Sequence, residues 1–196
     1  YITTTNENYE HPPMIEGAEQ SIIKGMHKIE SAENPNIRLI GSGAILRESI
    51  RAKSILDTYN IKSEVWSVTS FNLLRKDGME VERFNQLNPD LDEKISYVEE
   101  CFDGKSIPVI ASTDYMRSYA EQIRPYIKAK YNVLGTDGYG RSDSREMLRG
   151  FFEINANSIV RASAYSLFKE GTIDKKQLDI IYNDMGVDSS KPNPWE

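Results

Sequence analysis

The stretch IRLIGSGAILRESIRAKSIL, Ile37–Leu56, decides the fold class of this chain. Ile37–Ile40 is predicted to form a short strand, and the glycines around Ser42 predict a tight turn directly after it. A helix is predicted next, because apolar residues recur along one side of it: Leu46, Ile50, Ile55, Leu56 and Tyr59. A strand, a turn and a helix in this order are typical of one βαβ unit.

The same alternation continues along the chain. Further strands are predicted at Glu64–Val68, Ile107–Ala111 and Tyr131–Gly135. Helices are predicted over Gly17–Ser31, over Phe71–Leu87 with a break near Asp77-Gly78, around Met116–Ile123 before Pro125, from Asp143 with Glu146, around Ile159–Phe168, and from the cap Asp174 through Met185. We therefore predict the α/β class, with a mainly parallel sheet that has helices on both faces.

Composition excludes several classes of protein. The 196 residues carry 24 Lys plus Arg against 30 Asp plus Glu, a formal net charge of −6. This charge argues against binding to nucleic acids or to anionic membranes. No apolar run reaches the ~18 residues of a membrane span. The single cysteine, Cys101, rules out an internal disulfide and fits a reducing compartment, so we expect a cytoplasmic protein.

The first 16 residues differ in character from the rest of the chain. Tyr1–Thr5, YITTT, is rich in β-branched residues and is typical of the end of a strand. Asn6–Glu16 combines turn-forming residues with the pair Pro12-Pro13, a pattern that connectors between domains often show. We expect residues 1–16 to be the end of a preceding domain and a connector, and residues 17–196 to be one domain.

The turn at Gly41–Leu46, GSGAIL, lies where a dinucleotide-binding fingerprint would lie. Leu46 replaces the third glycine, and the acidic residue expected about 20 positions later is missing, since Thr69 follows the next strand. The pattern favours a tight turn in which Ser42 caps the helix. An anion site at Ser42 and Gly43 is the functional alternative.

The glycine-rich loop Gly135–Asp143, GTDGYGRSD, precedes another predicted helix and lacks the Gly-Lys-Ser/Thr of a phosphate-binding P-loop. Arg141, Arg145 and Arg149 are spaced four apart, so they would form one basic stripe on that helix. Arginines near a helix start oppose its dipole, which indicates a contact outside the segment. A solvated charged face is the simpler interpretation, and an interface with a partner domain or subunit is the alternative.

The remaining reactive side chains form no recognisable catalytic set. His11 and His27 are the only histidines and are separated by the connector, so neither a paired-histidine metal site nor a Ser-His-Asp arrangement can be assembled. Asp114 follows a predicted strand, where a helix cap explains it as well as a ligand does. Cys101 has no adjacent basic residue, which favours a buried thiol over a nucleophile.

Five long blocks of sequence carry a resemblance. They are Thr3–Gln20, Gly41–Leu56, Ser67–Pro89, Ala111–Ile127 and Gly135–Ile154. In this order they resemble the C-terminal domain of the bacterial homodimeric pyruvate dehydrogenase, the thiamine-dependent component of the pyruvate dehydrogenase complex. The resemblance spans nearly the whole chain.

The resemblance implies a transketolase-type C-terminal domain that follows two larger domains in a homodimeric parent enzyme. The parent would decarboxylate pyruvate on thiamine diphosphate and Mg²⁺ and acetylate lipoyl groups of a dihydrolipoyl acyltransferase core. In that family the cofactor lies between the upstream domains, so we expect no catalytic, cofactor or metal residue here. The family's Gly-Asp-Gly motif is absent, and DGYG at Asp137–Gly140 has a different order. The alternative is a free-standing module that binds a nucleotide or phosphate at Gly41–Gly43 or Gly135–Arg141.

Overall fold

The computed structural model describes residues 8–10 and 12–195. Within these residues the strands are β1 (Met26–Glu30), β2 (Ile37–Ser42), β3 (Ser63–Val68), β4 (Val109–Ser112) and β5 (Tyr131–Leu134). The α-helices are α1 (Glu19–Lys24), α2 (Leu46–Thr58), α3 (Phe71–Leu87), α4 (Tyr97–Cys101), α5 (Arg117–Glu121), α6 (Arg145–Phe151), α7 (Ala156–Lys169) and α8 (Lys175–Asp184). Short 3₁₀ helices lie at Gly43–Ile45 and Arg124–Tyr126.

The strands form one sheet in the order β1-β3-β2-β4-β5. Strands β3, β2, β4 and β5 are parallel, and β1 pairs antiparallel with β3 at one edge. The predicted α/β class with a mainly parallel sheet is confirmed. The chain leaves β2 toward one edge and leaves β4 toward the other, so the strand order reverses between these two strands. In open α/β sheets, the carboxyl side of such a reversal is the usual place for a ligand.

Helices cover both faces of the sheet. Residues of α3, α4 and α5 contribute to one buried apolar cluster, and residues of α2, α7 and α8 contribute to the other. Neighbouring residues of the central strand divide between the two clusters: Leu39 belongs to one and Ile40 to the other, and both are fully buried. A strand that is buried on both faces needs apolar side chains at successive positions, as Leu39-Ile40 in β2 and Val109–Ala111 in β4 show.

The predicted helix over Gly17–Ser31 is wrong in its second half. Helix α1 ends at Gly25, whose φ of +113° is in the left-handed region, and the chain continues as the edge strand β1. A Cβ at Gly25 would lie 2.9 Å from the carbonyl oxygen of Ser70, so only glycine fits this turn. Apolar residues spaced three or four apart across the turn imitated one helix, although the chain changes direction between them.

The predicted break in α3 near Asp77-Gly78 is also wrong, because the helix is continuous from Phe71 to Leu87. Gly78 is there for close packing. A Cβ at this position would lie 2.3 Å from Cζ of the Tyr126 ring. The glycine therefore lets the aromatic ring lie directly against the helix backbone.

Helix caps explain the remaining differences. Helix α4 was not predicted, although Ser96 and Glu99 form a capping box in which each side chain accepts the other residue's backbone N–H. The α6 cap is Ser144 rather than the predicted Asp143, because Ser144 Oγ accepts the N–H of Met147. The predicted cap Asp174 is confirmed, since its side chain accepts the N–H of Gln177.

A buried ionic network links the amino halves of the strands. Arg38 on β2 donates from Nε to the Glu64 carboxylate on β3 over 2.6 Å, and both side chains are less than 5% exposed. The remaining arginine nitrogens donate to the carbonyls of Phe102 and Lys105, which precede β4. Glu64 also accepts from Lys28 on β1 and from Trp66 Nε1. The Arg38 guanidinium and the Glu64 carboxylate thus connect β1, β2, β3 and the segment that precedes β4.

Replacing Arg38 by Met should lower the free energy of unfolding by about 3–5 kcal/mol, because the substitution leaves a buried carboxylate without its main partner. Glu80→Gln is the control, since the Lys76–Glu80 pair on α3 is about 70% exposed on both sides. Its loss should cost less than ~1 kcal/mol. Urea denaturation measures both values. An Arg38→Met effect as small as that of the control would contradict the importance of the network.

The stability should also depend on the protonation of Glu64. Burial opposes its ionisation, but hydrogen bonds from Lys28, Arg38 and Trp66 hold the pKa of the carboxyl below its usual 4.5. Because the unfolded chain takes up this proton at higher pH, the contribution is complete above pH 4.5 and is lost as pH falls toward the folded pKa.

Urea denaturation at pH 7 and at steps below 4.5 should therefore show a decreasing free energy of unfolding. Glu64→Gln should make that decrease shallower, and Glu80→Gln should leave it as it is in the unmodified chain. Equal slopes in all three proteins would show that Glu64 does not titrate differently on folding.

Candidate functional site: an arginine-lined cleft

A cleft of about 500 Å³ opens between the start of α2, helix α6 and the start of α7. Among the residues that the structure describes, its charged lining consists of four arginines and two glutamates: Arg47, Arg51, Arg145, Arg149, Glu48 and Glu146. Residues four apart on a helix lie on the same side, so α2 supplies the pair Arg47 and Arg51, and α6 supplies Arg145 and Arg149. We call this the arginine cleft.

Glu48 joins the helices that form the arginine cleft. Its side chain is only 6% exposed, and its Oε2 accepts the backbone N–H of Ala156, the first residue of α7, over 2.9 Å. Its Oε1 lies 3.4 Å from Arg149 and 3.5 Å from Arg51. A carboxylate at a helix start satisfies an open N–H and interacts favourably with the helix dipole. No local sequence pattern indicates this role, because Arg149 and Ala156 lie about a hundred residues away along the chain.

Tyr9, in the predicted connector, lies in the arginine cleft. Its hydroxyl oxygen accepts hydrogen bonds from Arg145 over 2.8 Å and from Arg149 over 3.3 Å. The Arg47 guanidinium lies 5.4 Å from the centre of its ring, within the range of a cation–π contact. Tyr9 therefore connects the segment before the domain to both helices that carry the arginines.

The family of transketolase-like C-terminal domains matches residues 25–155, which include all five strands of the sheet. The chain belongs to this family. The match also includes α6 with Arg145 and Arg149, whereas α7 and α8 lie beyond it.

Curated relatives of this transketolase-like domain are pyruvate dehydrogenase E1 components. The protein of Pseudomonas aeruginosa is 50% identical over 201 aligned residues, which include 100% of this chain and 23% of the relative. The protein of Escherichia coli K12 is 46% identical over 198 residues, covering 99% of this chain and 22% of the relative. The chain thus spans less than a quarter of the length of the relatives it matches, and it aligns with their C-terminal region.

Solved structures support the same fold. A transketolase from Leishmania mexicana superposes with a TM-score of 0.55 at 16% identity, covering 79% of this chain and 20% of the transketolase. A transketolase from Pichia stipitis gives a TM-score of 0.56 at 16% identity, with 83% and 21% coverage. At this level of identity the likeness concerns the fold alone.

The three arginines of the predicted stripe do not share one helix in this transketolase-like domain. Arg141 lies before α6, which begins only at Arg145 because Ser144 provides the cap. The Arg141 guanidinium lies 4.1 Å from the ring centre of Phe151, at the other end of that helix. Only Arg145 and Arg149 share the face that contacts Tyr9. Whether the three form an interface stays a prediction.

Ser42 and Gly43, the predicted anion site, lie at the carboxyl end of β2. Ser42 does not cap α2, since its hydroxyl donates to Thr113 Oγ1 at the end of β4 over 2.9 Å. Gly43, with φ of +54°, begins the 3₁₀ helix that leads into α2. Neither residue lines the arginine cleft. The bond between the two strand ends joins the sheet where its order reverses, and an anion site there stays a prediction.

Asp114 also follows β4 but is not the predicted helix cap, because α5 begins after Met116 without a side-chain cap. Desolvation raises the pKa of its carboxyl, and the positive charges of Arg149 and Arg145 act in the opposite direction. Asp114 is therefore close enough to the arginine cleft for the charges of Arg145 and Arg149 to act on its carboxyl.

The loop after β5 is occupied by contacts within the chain. Arg117 donates from Nε to Asp137 over 2.8 Å, and its backbone N–H donates to the other oxygen of the same carboxylate. Burial opposes ionisation of Asp137, but these bonds hold the pKa of its carboxyl below the usual value. The ring of Trp195, near the end of the chain, covers the Arg117 guanidinium at 4.7 Å.

The acidic, histidine and cysteine side chains of the described residues lie apart from one another. Among residues 8–10 and 12–195 no group of three or more His, Cys, Asp or Glu side chains is arranged to hold a metal ion. Cys101 is half-buried, and burial raises the pKa of its thiol, which disfavours the reactive thiolate. No helix within these residues is long and apolar enough to cross a membrane.

Glu48→Gln should lower the free energy of unfolding by about 1–3 kcal/mol, because the amide keeps an acceptor for Ala156 but leaves the half-buried Arg149 without its counter-charge. Glu146→Gln is the matched control on the rim of the same cleft. Its exposed carboxylate makes no ion pair with the described residues, so its effect should stay within about 0.5 kcal/mol. Urea denaturation of both variants measures the difference, and equal effects would contradict the role assigned to Glu48.

Proposed function

We propose that this chain is the C-terminal structural and assembly domain of the decarboxylating component of a pyruvate dehydrogenase complex. The observation that carries the proposal is the 50% identity to the Pseudomonas aeruginosa E1 component over the whole of this chain. Identity at this level extends from the predicted connector to the last helix. The transketolase-like C-terminal fold agrees with the proposal.

In the proposed parent enzyme, pyruvate is decarboxylated on thiamine diphosphate with Mg²⁺, and the acetyl group passes to lipoyl groups of a dihydrolipoyl acyltransferase core. We infer a cytoplasmic homodimer within that multienzyme complex. The complex would take pyruvate from glycolysis and transfer its acetyl group. The donor set of the described residues does not fit Mg²⁺, which needs converging oxygen ligands. We therefore derive no chemical step through the cofactor from this chain.

We further propose that residues 1–16 connect the domain to the part of the enzyme before it. Tyr9 supports this division, because it lies in the arginine cleft and accepts hydrogen bonds from Arg145 and Arg149. These arginines would thus hold the connector against the domain, and together with Arg141 they would face a neighbouring domain or the second subunit. This is an interface function rather than a catalytic one.

A chimera tests the proposal. The C-terminal region of the Pseudomonas aeruginosa E1 component is replaced by this chain, and pyruvate oxidation and the dimer dissociation constant are measured. We expect an active dimer, while the 196-residue chain alone should give a flat calorimetric titration with thiamine diphosphate and Mg²⁺. A folded chimera that neither dimerises nor oxidises pyruvate, or micromolar cofactor binding by the isolated chain, would overturn the proposal.

The same chimera tests whether Arg141, Arg145 and Arg149 form an interface with a partner or a solvated charged face. Arg141→Glu together with Arg145→Glu places like charges at a partly desolvated contact and should weaken dimerisation by several kcal/mol if these residues face a partner. Arg75→Glu with Arg83→Glu on α3, across the sheet, changes the charge equally. Both double variants should weaken dimerisation by less than ~1 kcal/mol if the arginines face water. The dimer dissociation constant and the concentration dependence of activity distinguish the outcomes.

A further inference from the structure

Several large aromatic and apolar side chains are exposed at the carboxyl side of β4 and β5. Tyr139 is 94% exposed, and Tyr115, Met116 and Trp195 expose between 48% and 65% of their surface. Single exposed apolar residues are common on folded proteins, but a contiguous group of large ones marks a contact surface. We call these four residues the aromatic patch.

Two residues of the aromatic patch are joined through the loop that follows β5. The backbone N–H of Thr136 in this loop donates to the carbonyl of Tyr115 over 2.9 Å. The same loop carries Tyr139 three positions further on, so the two exposed tyrosines lie on touching segments. Tyr115 also stacks on Tyr119 of α5, with 4.9 Å between the ring centres. Its ring is therefore held in place although it is exposed.

The end of the chain completes the aromatic patch. The Trp195 ring lies 4.7 Å from the guanidinium of Arg117, the residue after Met116. The backbone of Trp195 lies against Gly138, where a Cβ would come within 2.9 Å of the Trp195 Cα. Trp195 therefore adjoins both Met116 and the loop that carries Tyr139, and the four side chains form one surface.

The charged groups next to the aromatic patch are paired with each other. Arg117 donates to the Asp137 carboxylate both from Nε and from its backbone N–H. The surface around this pair consequently offers mainly aromatic and apolar contacts. Tyr, Trp and Met are enriched in the buried centres of protein–protein interfaces, whereas Lys, Glu and Asp are depleted there. This composition fits an interface better than a site for a charged ligand.

The predicted connector meets the domain next to the aromatic patch. Helix α6 begins six residues after Tyr139. Its Arg145 and Arg149 donate to the hydroxyl of Tyr9 in the connector. Burial raises the pKa of the Asp114 carboxyl, directly before the aromatic patch in the sequence, and the nearby charges of Arg149 and Arg145 oppose that rise. The helix that binds the connector is therefore close to both chain segments of the patch.

A short stretch of chain separates Tyr9 from the domain that would precede this one. Eight residues come before Tyr9, and eight extended residues span at most roughly 30 Å. In the proposed function these residues belong to the preceding domain and the connector, so that domain must lie beside α6. It is also part of a large body, since more than three quarters of the Pseudomonas aeruginosa relative lies outside the region aligned with this chain.

We propose that the aromatic patch is the surface against which the preceding domain of the same subunit packs. The inference rests on the proposed function, because it takes this chain to be the C-terminal domain of a longer enzyme. It adds where the two domains meet and which side chains make the contact. Two surfaces on one chain associate intramolecularly, so a short connector favours their contact even when the patch is modest in area.

Hydroxyl-radical footprinting of the chimera and of the 196-residue chain tests this contact, because the radicals oxidise exposed Met, Tyr and Trp side chains. We expect Met116, Tyr139 and Trp195 to be oxidised more slowly in the chimera, by about fivefold or more, since the centre of an interface excludes water. Met79 on α3 is the matched control. It is 49% exposed, compared with 59% for Met116, and its oxidation should change by less than about twofold.

A photo-crosslink identifies the occupant of the aromatic patch. With Tyr139→p-benzoylphenylalanine, irradiation of the chimera should join position 139 to a segment before the connector and give a product with the mass of one subunit. The same group at Leu87 is the control and should give no such product, because α3 returns from the end of β3 toward the amino side of the sheet.

Each other outcome overturns the proposal. A product with the mass of two subunits would assign the patch to the second subunit. Protection in the isolated chain that grows with its concentration would assign it to a second copy of this domain. Equal oxidation of the patch in the chimera and in the isolated chain would leave it to solvent or to a separate protein.

A second measurement needs only the 196-residue chain. Met116→Ser with Tyr139→Ser should leave its midpoint of thermal unfolding within about 2 °C, because side chains that contact another domain contribute little to this one. A larger loss would show that they stabilise this domain itself and would contradict the proposal. An inactive chimera with a protected patch would contradict the proposed function and support the contact. An active chimera with an accessible patch would contradict the contact alone.

Discussion

The buried contact between Arg38 and Glu64 is the constraint on which the sheet depends. The two residues lie opposite each other in the parallel pairing of β2 and β3. A shift of this pairing by one residue would place the two charges on opposite faces of the sheet, so that each would be buried without the other. Hydrophobic side chains stabilise the sheet, but many registers would bury them about equally well. The ion pair selects one register, and the carbonyls that Arg38 also reaches fix the segment before β4.

Arginine has two opposite uses in this domain. Arg38 is buried, and every nitrogen of its guanidinium has an acceptor within the chain. In the arginine cleft, by contrast, guanidinium groups crowd around one tyrosine and one shared carboxylate. The first arrangement is complete in itself and therefore structural. The second joins the predicted connector to two helices at the surface of the domain.

The sequence predicted the architecture because its central strands and helices have clear periods. The stretch Ile37–Leu56 alone predicts a strand, a turn and a helix, and the structure has all three. Prediction failed at Met26–Glu30, where a glycine turn between a helix and a strand imitated one helical period. It also failed at Gly78, because a glycine that accommodates a ring from a distant segment looks like a glycine that ends a helix.

The candidate site was harder to predict for a different reason. Arg145 and Arg149 stood out by their spacing, which is local information. Glu48 and Tyr9 did not, because their roles arise from residues more than a hundred positions away. Arg47 looked like an ordinary charged helix residue, and its contact with the Tyr9 ring comes from a segment far away along the chain. The cleft exists only once α2, α6 and α7 have been brought together.

Gly78 has a consequence for anyone who would engineer this domain. Replacing a glycine inside a helix by alanine is a standard route to thermostability, since alanine favours the helix by up to about 1 kcal/mol. At Gly78 the added methyl carbon would overlap the Tyr126 ring. The usual gain would be reversed by the collision, and the helix or the segment Arg124–Tyr126 would have to move. Design rules based on helix propensity alone would choose the wrong residue here.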